Sequence, residues 1–311
     1  MTRVAIVIVT YNSGAQIGAC LDSLRTIEDV EIVVVDNSST DATRLEAESR
    51  GVRIIANAGN AGFAAAVNQG VLATTAPLLL LLNPDARIQC GLSSLAQEFD
   101  DPAVGAAGGM LTGSDGRPQT GFMVRNLPTA TALTFELLGL NSLWPRNPAN
   151  WHYRCLGLDP VTPGFVEQPS GAFLMFSRVI WERVGGFDER YWPLWFEDVD
   201  FCWKVKQAGK LVRYNPLAVA QHDGGHTAGA LPLELRERYW YGSLLEYAAR
   251  HYGSFAFRTT CVAVVMGVGL RAVKGFPQFK FKALEVYGSI AGLALRRAFS
   301  KRRGIRTEVV G

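Results

Sequence analysis

Hydrophobic and polar positions alternate in blocks along the first third of the chain. Val4-Ala5-Ile6-Val7-Ile8-Val9 is a continuous apolar, mostly β-branched run, the pattern of a strand covered on both faces in a parallel sheet. A helix with Ile17, Leu21 and Leu24 on one face follows, because those positions recur at helical spacing. The next strand is Glu31 to Val35, followed by a polar helix to about Arg50 and a third strand from Val52 to Ile55. A further helix through Asn68 to Ala73 leads to a fourth strand, Leu78 to Leu82. Strand and helix in strict alternation predict an α/β fold with an open, mostly parallel, doubly wound sheet and helices on both faces.

Each predicted strand ends in a polar cluster: Thr10-Tyr11-Asn12, Asp36-Asn37-Ser38-Ser39, Asn57-Ala58-Gly59-Asn60 and Asn83-Pro84-Asp85. Any one of these is also ordinary turn chemistry. Together they converge, because ligands of open α/β sheets bind in the crevice beyond the C-terminal strand ends. The first strand leads into Thr10-Tyr11-Asn12 with a single Gly14, not into the G-x-G-x-x-G of a dinucleotide site. No G-x-x-x-x-G-K-[ST] phosphate loop occurs in the chain. A nucleotide site that uses acids fits what is present: one for a base or ribose, one for a metal on a diphosphate. Asp85 suits the metal, because hard cations take oxygen ligands and bridge phosphates.

The densest chemistry lies from Pro169 to Thr227, centred on Phe196-Glu197-Asp198-Val199-Asp200. Adjacent acids between Phe196, Phe201 and Trp203 are costly to bury unless their charge is used. An apolar wall beside a carboxylate raises its pKa, as a general base working near neutral pH requires. The same acids would also suit the first turn of a helix.

Composition narrows the class. The 311 residues are 48% hydrophobic and 19% charged, a globular chain long enough for a sizeable core. The net charge of +3 hides an asymmetry: residues 250–311 hold 12 basic and 2 acidic side chains, and residues 1–249 hold 19 and 26. A basic end on an acidic body suggests contact with something anionic, here an anionic membrane surface; no nucleic-acid partner is expected. Cys20, Cys90, Cys155, Cys202 and Cys261 are scattered, without a C-x-x-C pair, which argues for reduced thiols in a cytoplasmic protein and against a zinc site. The apolar run Val4 to Val9 is too short for a signal peptide.

Six motifs in order carry a family resemblance: Val9-Thr10-Tyr11-Asn12, Val35-Asp36-Asn37-Ser38-Ser39-Thr40-Asp41, Asn60-Ala61-Gly62-Phe63 with Asn68, Asn83-Pro84-Asp85, Gly185-Gly186-Phe187-Asp188 and Glu197-Asp198-Val199-Asp200. Over residues 3–250 the chain resembles family 2 glycosyltransferases of the GT-A fold, in their bacterial rhamnosyltransferase-like branch. The resemblance implies a transferase domain at 1–250, with a nucleotide-binding half to residue 110 and an acceptor half beyond it. Thr10, Tyr11, Asn12, Asp36, Asn60, Gly62, Phe63, Asn68, Asn83 and Glu197 would then bind the nucleotide-sugar. Asp198 would be the general base. Asp85, at the family's D-x-D position, and His222 would meet a divalent cation, Mg2+ or Mn2+. His226 competes with His222 for that role, and either could be an ordinary loop residue. The implied reaction is inverting transfer of a sugar, rhamnose from dTDP-rhamnose being favoured, to a glycan or polyprenyl-linked acceptor in cell-envelope polysaccharide synthesis. Absence of the Q-x-x-R-W motif of processive synthases favours transfer of one sugar or a few. The alternatives are a sugar-nucleotide nucleotidyltransferase and a non-catalytic carbohydrate- or partner-binding module.

The stretch from Thr112 to Pro169 reads as acceptor-side loops, and Glu234 to Tyr252 as a helix. Thr259 to Leu270 is free of charge but short of the ~20 residues a membrane span needs. Residues 251–311 read as a basic amphipathic helical tail, with Lys274, Lys280, Lys282, Arg296-Arg297 and Lys301-Arg302-Arg303. Such a tail can lie peripherally on the inner face of the cell membrane, close the domain, or contact a second copy.

Overall fold

The computed structural model describes residues 4–224, 229, 231–279 and 281–299. His226 and Thr227 of the histidine loop, and Lys280 and Lys301-Arg302-Arg303 of the tail, lie outside them. The expected alternation opens the chain: β1 (Val4–Thr10), α1 (Gly14–Asp22), β2 (Val30–Asp36), α2 (Thr43–Glu48), β3 (Arg53–Ala56), α3 (Phe63–Leu72) and β4 (Leu78–Leu82). Then come β5 (Ala86–Cys90), α4 (Leu92–Gln97), β6 (Val104–Thr112), β7 (Val124–Arg125), α5 (Ala130–Leu137), α6 (Leu140–Leu143), α7 (Pro148–Tyr153), β8 (Gly164–Phe165) and β9 (Gln168–Pro169). The remainder is β10 (Phe173–Ser177), α8 (Arg178–Arg183), α9 (Glu197–Gln207), β11 (Leu211–His222), α10 (Leu233–His251), α11 (Ser254–Phe279) and α12 (Phe281–Phe299).

Among the described residues the main sheet has nine strands in the order β3-β2-β1-β4-β10-β6-β11-β5, with β8 beside β11. The β3-β2-β1-β4 half is parallel. β10 inserts antiparallel between β4 and β6, and β11 then runs parallel to β6. The sheet is thus mixed but mostly parallel, as expected. Successive residues of β1 serve opposite faces, as strand geometry requires. Val4, Ile6 and Ile8 pack with Ile17, Leu21 and Leu24 and with Leu92 and Leu95 of α4. Ala5, Val7 and Val9 pack with Ala64, Val67 and Val71 of α3 and with Phe201, Cys202 and Val205 of α9. Helices therefore cover both faces, and the functional residues collect at one edge of the strands.

Two expectations change. Thr112 to Pro169 is not loop alone: it holds three helices and three short strands among its described residues. Thr129 accepts a hydrogen bond from the Ala132 amide to start α5, and Asn147 accepts one from Asn150 ahead of Pro148 at the start of α7. Both are side-chain caps that satisfy an otherwise orphaned helix amide. The charge-free run Thr259 to Leu270, expected to be too short for a span, lies inside the 26 residues of α11. By length and composition alone Ser254–Lys274 could cross a membrane, yet 44% of its most apolar window is buried against the protein. α10, α11 and α12 share one apolar cluster with Leu133 and Leu137 of α5 and with Phe196 and Val199 at the start of α9. The expected boundary near residue 250 therefore runs through a common core.

Candidate active site

The strand ends surround a cavity of about 560 Å³. Thr10, Tyr11, Asn37, Asn60, Phe63, Asn83 and Asp85 line one side. Gln168, Gly171, Glu197 and Asp198 also line the cavity, with Trp195 from the segment ahead of α9 and Tyr239 and Trp240 from α10. Of the site residues named from the sequence, Thr10, Tyr11, Asn60, Phe63, Asn83, Asp85, Glu197, Asp198 and His222, from five separate stretches, line this cavity.

The insertion of β10 explains how the halves meet. Pairing of Phe173 with Leu82 sets Ala172 beside the end of β4, where its carbonyl accepts the Asn83 amide at 3.1 Å. The preceding Gly171 donates its amide to Asp198 Oδ2 at 2.9 Å. Gln168 Nε2 donates to the same oxygen at 3.0 Å, and the Val199 amide to Oδ1 at 2.8 Å. The carboxylate of Asp198 is therefore oriented from three directions while it lines the cavity. Burial raises its pKa, and the amides of Gly171 and Val199 and the charge of Arg125 hold that rise back. A carboxylate with a moderately raised pKa is a suitable general base.

Glu197 differs from its neighbour. It is buried, and its Oε2 has no hydrogen-bond partner. Burial, then the charge of Asp198, lifts its pKa well above the ordinary carboxylate value, so its neutral acid form is favoured. Asp200 faces away into the core. It accepts hydrogen bonds from His251 Nε2 at 2.7 Å and Tyr191 OH at 3.1 Å, with Lys204 3.3 Å away. Burial pushes Asp200 up, but the His251 bond and the charges of Lys204 and Arg250 outweigh it and hold the carboxyl below its usual value. Of the three acids, only Asp198 combines exposure to the cavity with a fixed orientation. Ahead of them Trp195 and Phe196 both adopt left-handed backbone, with φ of 76° and 71°. Such strain persists only where packing enforces it, and Phe196 is held against Tyr247 with ring centroids 5.4 Å apart.

Asp85 and His222 come together where β5 pairs with β11: Ala86 opposes His222, and His222 Nε2 lies 3.4 Å from Asp85 Oδ1. His222 stacks on Phe122 at 5.2 Å, and its Nδ1 lies 3.2 Å from Gln119 Oε1. Gln119 Nε2 donates to the His222 carbonyl at 2.7 Å, which turns Oε1 toward the ring. With Oε1 as the acceptor, Nδ1 is the nitrogen that donates to Gln119, and Nε2 is the one turned toward the Asp85 carboxylate. A cation between Nε2 and the carboxylate, or a proton on Nε2, would join the two groups. The residues fit a divalent ion, in the way that Mg2+ takes one or two protein ligands and completes its shell with phosphate oxygens and water. Among the described residues no group of three or more His, Cys, Asp or Glu forms a self-sufficient metal cage.

Several expected donor-site residues have other tasks. Asp36 is fully buried and accepts hydrogen bonds from Thr10 Oγ1 at 3.0 Å, from Arg44 Nε at 2.9 Å and from Ser39. Both its oxygens are committed, so it ties β1 to the loop after β2 rather than lining the cavity. Asn12 Oδ1 accepts the Thr40 amide at 2.8 Å and joins the same loops. Asn68 is not among the residues lining the cavity: it bonds both backbone groups of Phe187 and accepts from Trp181. Gly62 acts through its backbone. Its φ is 92°, and a Cβ there would lie 2.7 Å from Trp192 Cδ1. That close approach lets the Phe63 amide reach the Pro193 carbonyl at 2.7 Å.

Sequence reasoning passed over Phe122, Arg125, Glu136, Tyr153, Arg154 and Gln168, and placed Asn37 in a strand-end cluster without giving it a role; all of them line the cavity. Arg125 lies between Phe122 and Tyr153, 5.6 Å and 5.9 Å from their ring centroids. Arg154 is paired with Glu136 at 3.2 Å. A cationic side chain in a stretch rich in Pro, Trp and Asn was the available signal, but no local spacing ties either arginine to the site.

Comparison with known proteins places this geometry. The model of glycosyl transferase family 2 matches residues 5–157. An N-acetylglucosaminyl-diphospho-decaprenol L-rhamnosyltransferase of Mycobacterium tuberculosis is 31% identical over 271 residues, covering 80% of this chain and 85% of the relative. Among solved structures, S. aureus TarS in complex with UDP-GlcNAc superposes with a TM-score of 0.58 at 15% identity, covering 95% of this chain and 81% of that one. A Pyrobaculum calidifontis mannosyltransferase in complex with GDP-Man and Mn2+ gives 0.53 at 16% identity, covering 95% and 86%. Those two likenesses establish the GT-A fold. The match over most of both chains sets aside the nucleotidyltransferase and binding-module alternatives: the chain belongs to glycosyl transferase family 2, and is a glycosyltransferase.

Proposed function

We propose that the cavity transfers one sugar from a nucleoside-diphosphate donor to a lipid-linked acceptor, with inversion, by a single in-line displacement. The observation that carries this reading is that one cavity holds both the oriented Asp198 carboxylate and the Asp85–His222 pair. The donor nucleotide lies at the strand ends, beside Tyr11, Asn37, Asn60 and Asn83. Asp85 and His222 hold a divalent cation there, Mg2+ or Mn2+, which supplies charge neutralisation to the diphosphate leaving group when bound.

The acceptor hydroxyl gives its proton to Asp198 as its oxygen attacks the anomeric carbon. Gly171 and Gln168 fix the accepting carboxylate, so little of its orientation must be found during the reaction. Of the three acids at the start of α9, Asp198 is the one available for proton transfer, because the neutral form is favoured at neighbouring Glu197 and Asp200 is turned into the core. One base and one displacement give inversion of configuration. Glu197 orients a sugar hydroxyl rather than acting as a second base.

Rhamnose from dTDP-rhamnose is the favoured donor, by similarity to the mycobacterial L-rhamnosyltransferase. The name of that relative also favours a glycan on a polyprenyl diphosphate as acceptor, in cell-envelope polysaccharide synthesis at the inner face of the membrane. The test is incubation with dTDP-rhamnose, UDP-sugars and GDP-mannose and a short-chain prenyl-diphosphate N-acetylglucosamine, the product being read by mass and by the configuration of its new anomeric centre. The expected result is one added rhamnose with inverted configuration. Retained configuration, or no transfer from any of these donors, would overturn the reading.

A further inference from the structure

α11 divides sharply by side. Phe257, Cys261, Val264, Val268 and Ala272 are buried, on the face that packs into the cluster with α5, α10 and α12. On the other face Phe255, Val262, Met266, Leu270 and Val273 are 83%, 56%, 56%, 53% and 73% exposed. Their spacing repeats at helical period, so they form one apolar stripe along the helix. Exposed Arg258 and Lys274 flank it, and no acidic residue occurs anywhere in Ser254–Phe279. α12 adds exposed Phe281, Leu284, Leu295 and Phe299, with exposed Lys282 and Arg296.

The helix is also locked to the wall of the cavity. Arg271 Nη1 donates to the Leu137 carbonyl at 2.6 Å and so caps the end of α5. At Gly267 the helices approach so closely that a Cβ would lie 2.2 Å from the Leu137 oxygen. Leu133 and Glu136 of α5 line the cavity. The cavity wall is therefore separated from the exposed stripe by α11 itself, a helix about 10 Å across.

We propose that the exposed stripe Phe255–Val262–Met266–Leu270–Val273 lies in the interfacial layer of an anionic membrane, with α11 parallel to the surface. A face of large apolar side chains with basic flanks matches the chemistry of such a surface. The opposite charge balance of the body, 19 basic against 26 acidic residues in 1–249, leaves only the C-terminal region attractive to anionic lipid. The buried half of α11 keeps the helix from crossing as an isolated span. The docking surface thus lies on α11, N-terminal to most of the basic tail that the sequence suggests, and it turns the α5 side of the cavity toward the lipid. This goes beyond the transfer reading, since vesicle binding does not depend on which sugar is moved.

The test is sedimentation of the full chain with vesicles of phosphatidylcholine alone and with added phosphatidylglycerol, at low and high salt. Wild type should bind the phosphatidylglycerol vesicles, less so at high salt. The variant Met266→Asp/Leu270→Asp should bind on the order of tenfold more weakly, with unchanged thermal unfolding and unchanged binding of a soluble nucleoside diphosphate. Truncation before Lys301 should lose less than that variant. Absence of wild-type binding, or equal binding by the variant, would overturn the proposal. So would a wild-type dimer that dissociates in the variant without vesicle binding, since the stripe would then be covered by a second copy. Failure of sugar transfer with intact vesicle binding would count against the transfer reading alone.

Discussion

The imidazole of His222 lies 3.4 Å from the Asp85 carboxylate, and Gln119 determines the character of that contact. By donating to the His222 carbonyl and accepting from its ring, Gln119 turns Nε2 toward Asp85. Partners of this kind tune metal affinity by roughly 10–100-fold. Gln119→Leu should weaken Mn2+ binding in the presence of a nucleoside diphosphate by about that factor, read by Mn2+ titration. Gln119→Glu, which keeps an acceptor at the ring, should lose less. Equal affinity in Gln119→Leu would show that the pair is not a metal site.

Gly171 is the second positioning element. A Cβ there would lie 3.1 Å from Asp198 Cβ and 3.2 Å from its Oδ2, so the base must give way by a few tenths of an ångström. Gly171→Ala should lower kcat on the order of tenfold, because misplacement by ~1 Å costs ~100-fold. Donor affinity should not change. An unaltered kcat would show that the added Cβ leaves the Asp198 carboxylate in place, against the close fit read at Gly171.

The pH profile follows from Asp198. Burial raises its pKa, so proton acceptance is lost as pH falls through that raised value, and kcat should fall on the acid side. The Arg125 charge opposes the rise. Removing it in Arg125→Met should move the acid limb to higher pH. A limb that stays in place, or moves lower, would exclude Asp198 as the titrating base.

Glu197 gives a stability prediction of definite sign. Its folded pKa is raised well above the ordinary carboxylate value, by burial and then by Asp198. Above the unfolded value, about 4.3, the unfolded chain releases this proton while the folded chain keeps it. The Glu197 contribution to stability therefore declines as pH rises from the unfolded value toward the folded one. Glu197→Gln should raise the melting temperature relative to wild type at pH 7, with the difference shrinking toward pH 4. Thermal unfolding at both pH values checks this; a variant less stable at pH 7 than at pH 4, each relative to wild type, would contradict it.

The parallel half of the sheet was legible because its strands are unbroken apolar runs: β1 and β4 fall within one residue of their expected bounds. Asp85 was legible from a strand end, whereas Asp198 and His222 came from the family resemblance. β6 was not legible. Its sequence, VGAAGGMLT, is poor in the residues that favour strands, and its glycines exist for packing: a Cβ on Gly108 would lie 2.2 Å from Pro169 Cβ. The insertion of β10 is a long-range pairing without a local signature. Asp36 and Asn12 at strand ends, and Asn68 on α3, carry the right chemistry, yet their polar atoms are consumed by neighbouring loops and side chains, which only three-dimensional contacts reveal. Asn147-Pro148 was a readable helix start inside a stretch otherwise dominated by turn residues.

The central claim is that Asp198 acts on the acceptor proton while Asp85 serves the donor diphosphate. The direct measurement is calorimetric binding of dTDP, UDP and GDP, with and without Mn2+, to wild type, Asp198→Asn and Asp85→Ala, alongside transfer rates for each. One diphosphate should bind wild type in a metal-dependent way. Asp198→Asn should retain that binding and lose about 100- to 10,000-fold in transfer, while Asp85→Ala should lose the metal-dependent part of binding. Full transfer activity in Asp198→Asn, or an unchanged metal dependence in Asp85→Ala, would contradict the account.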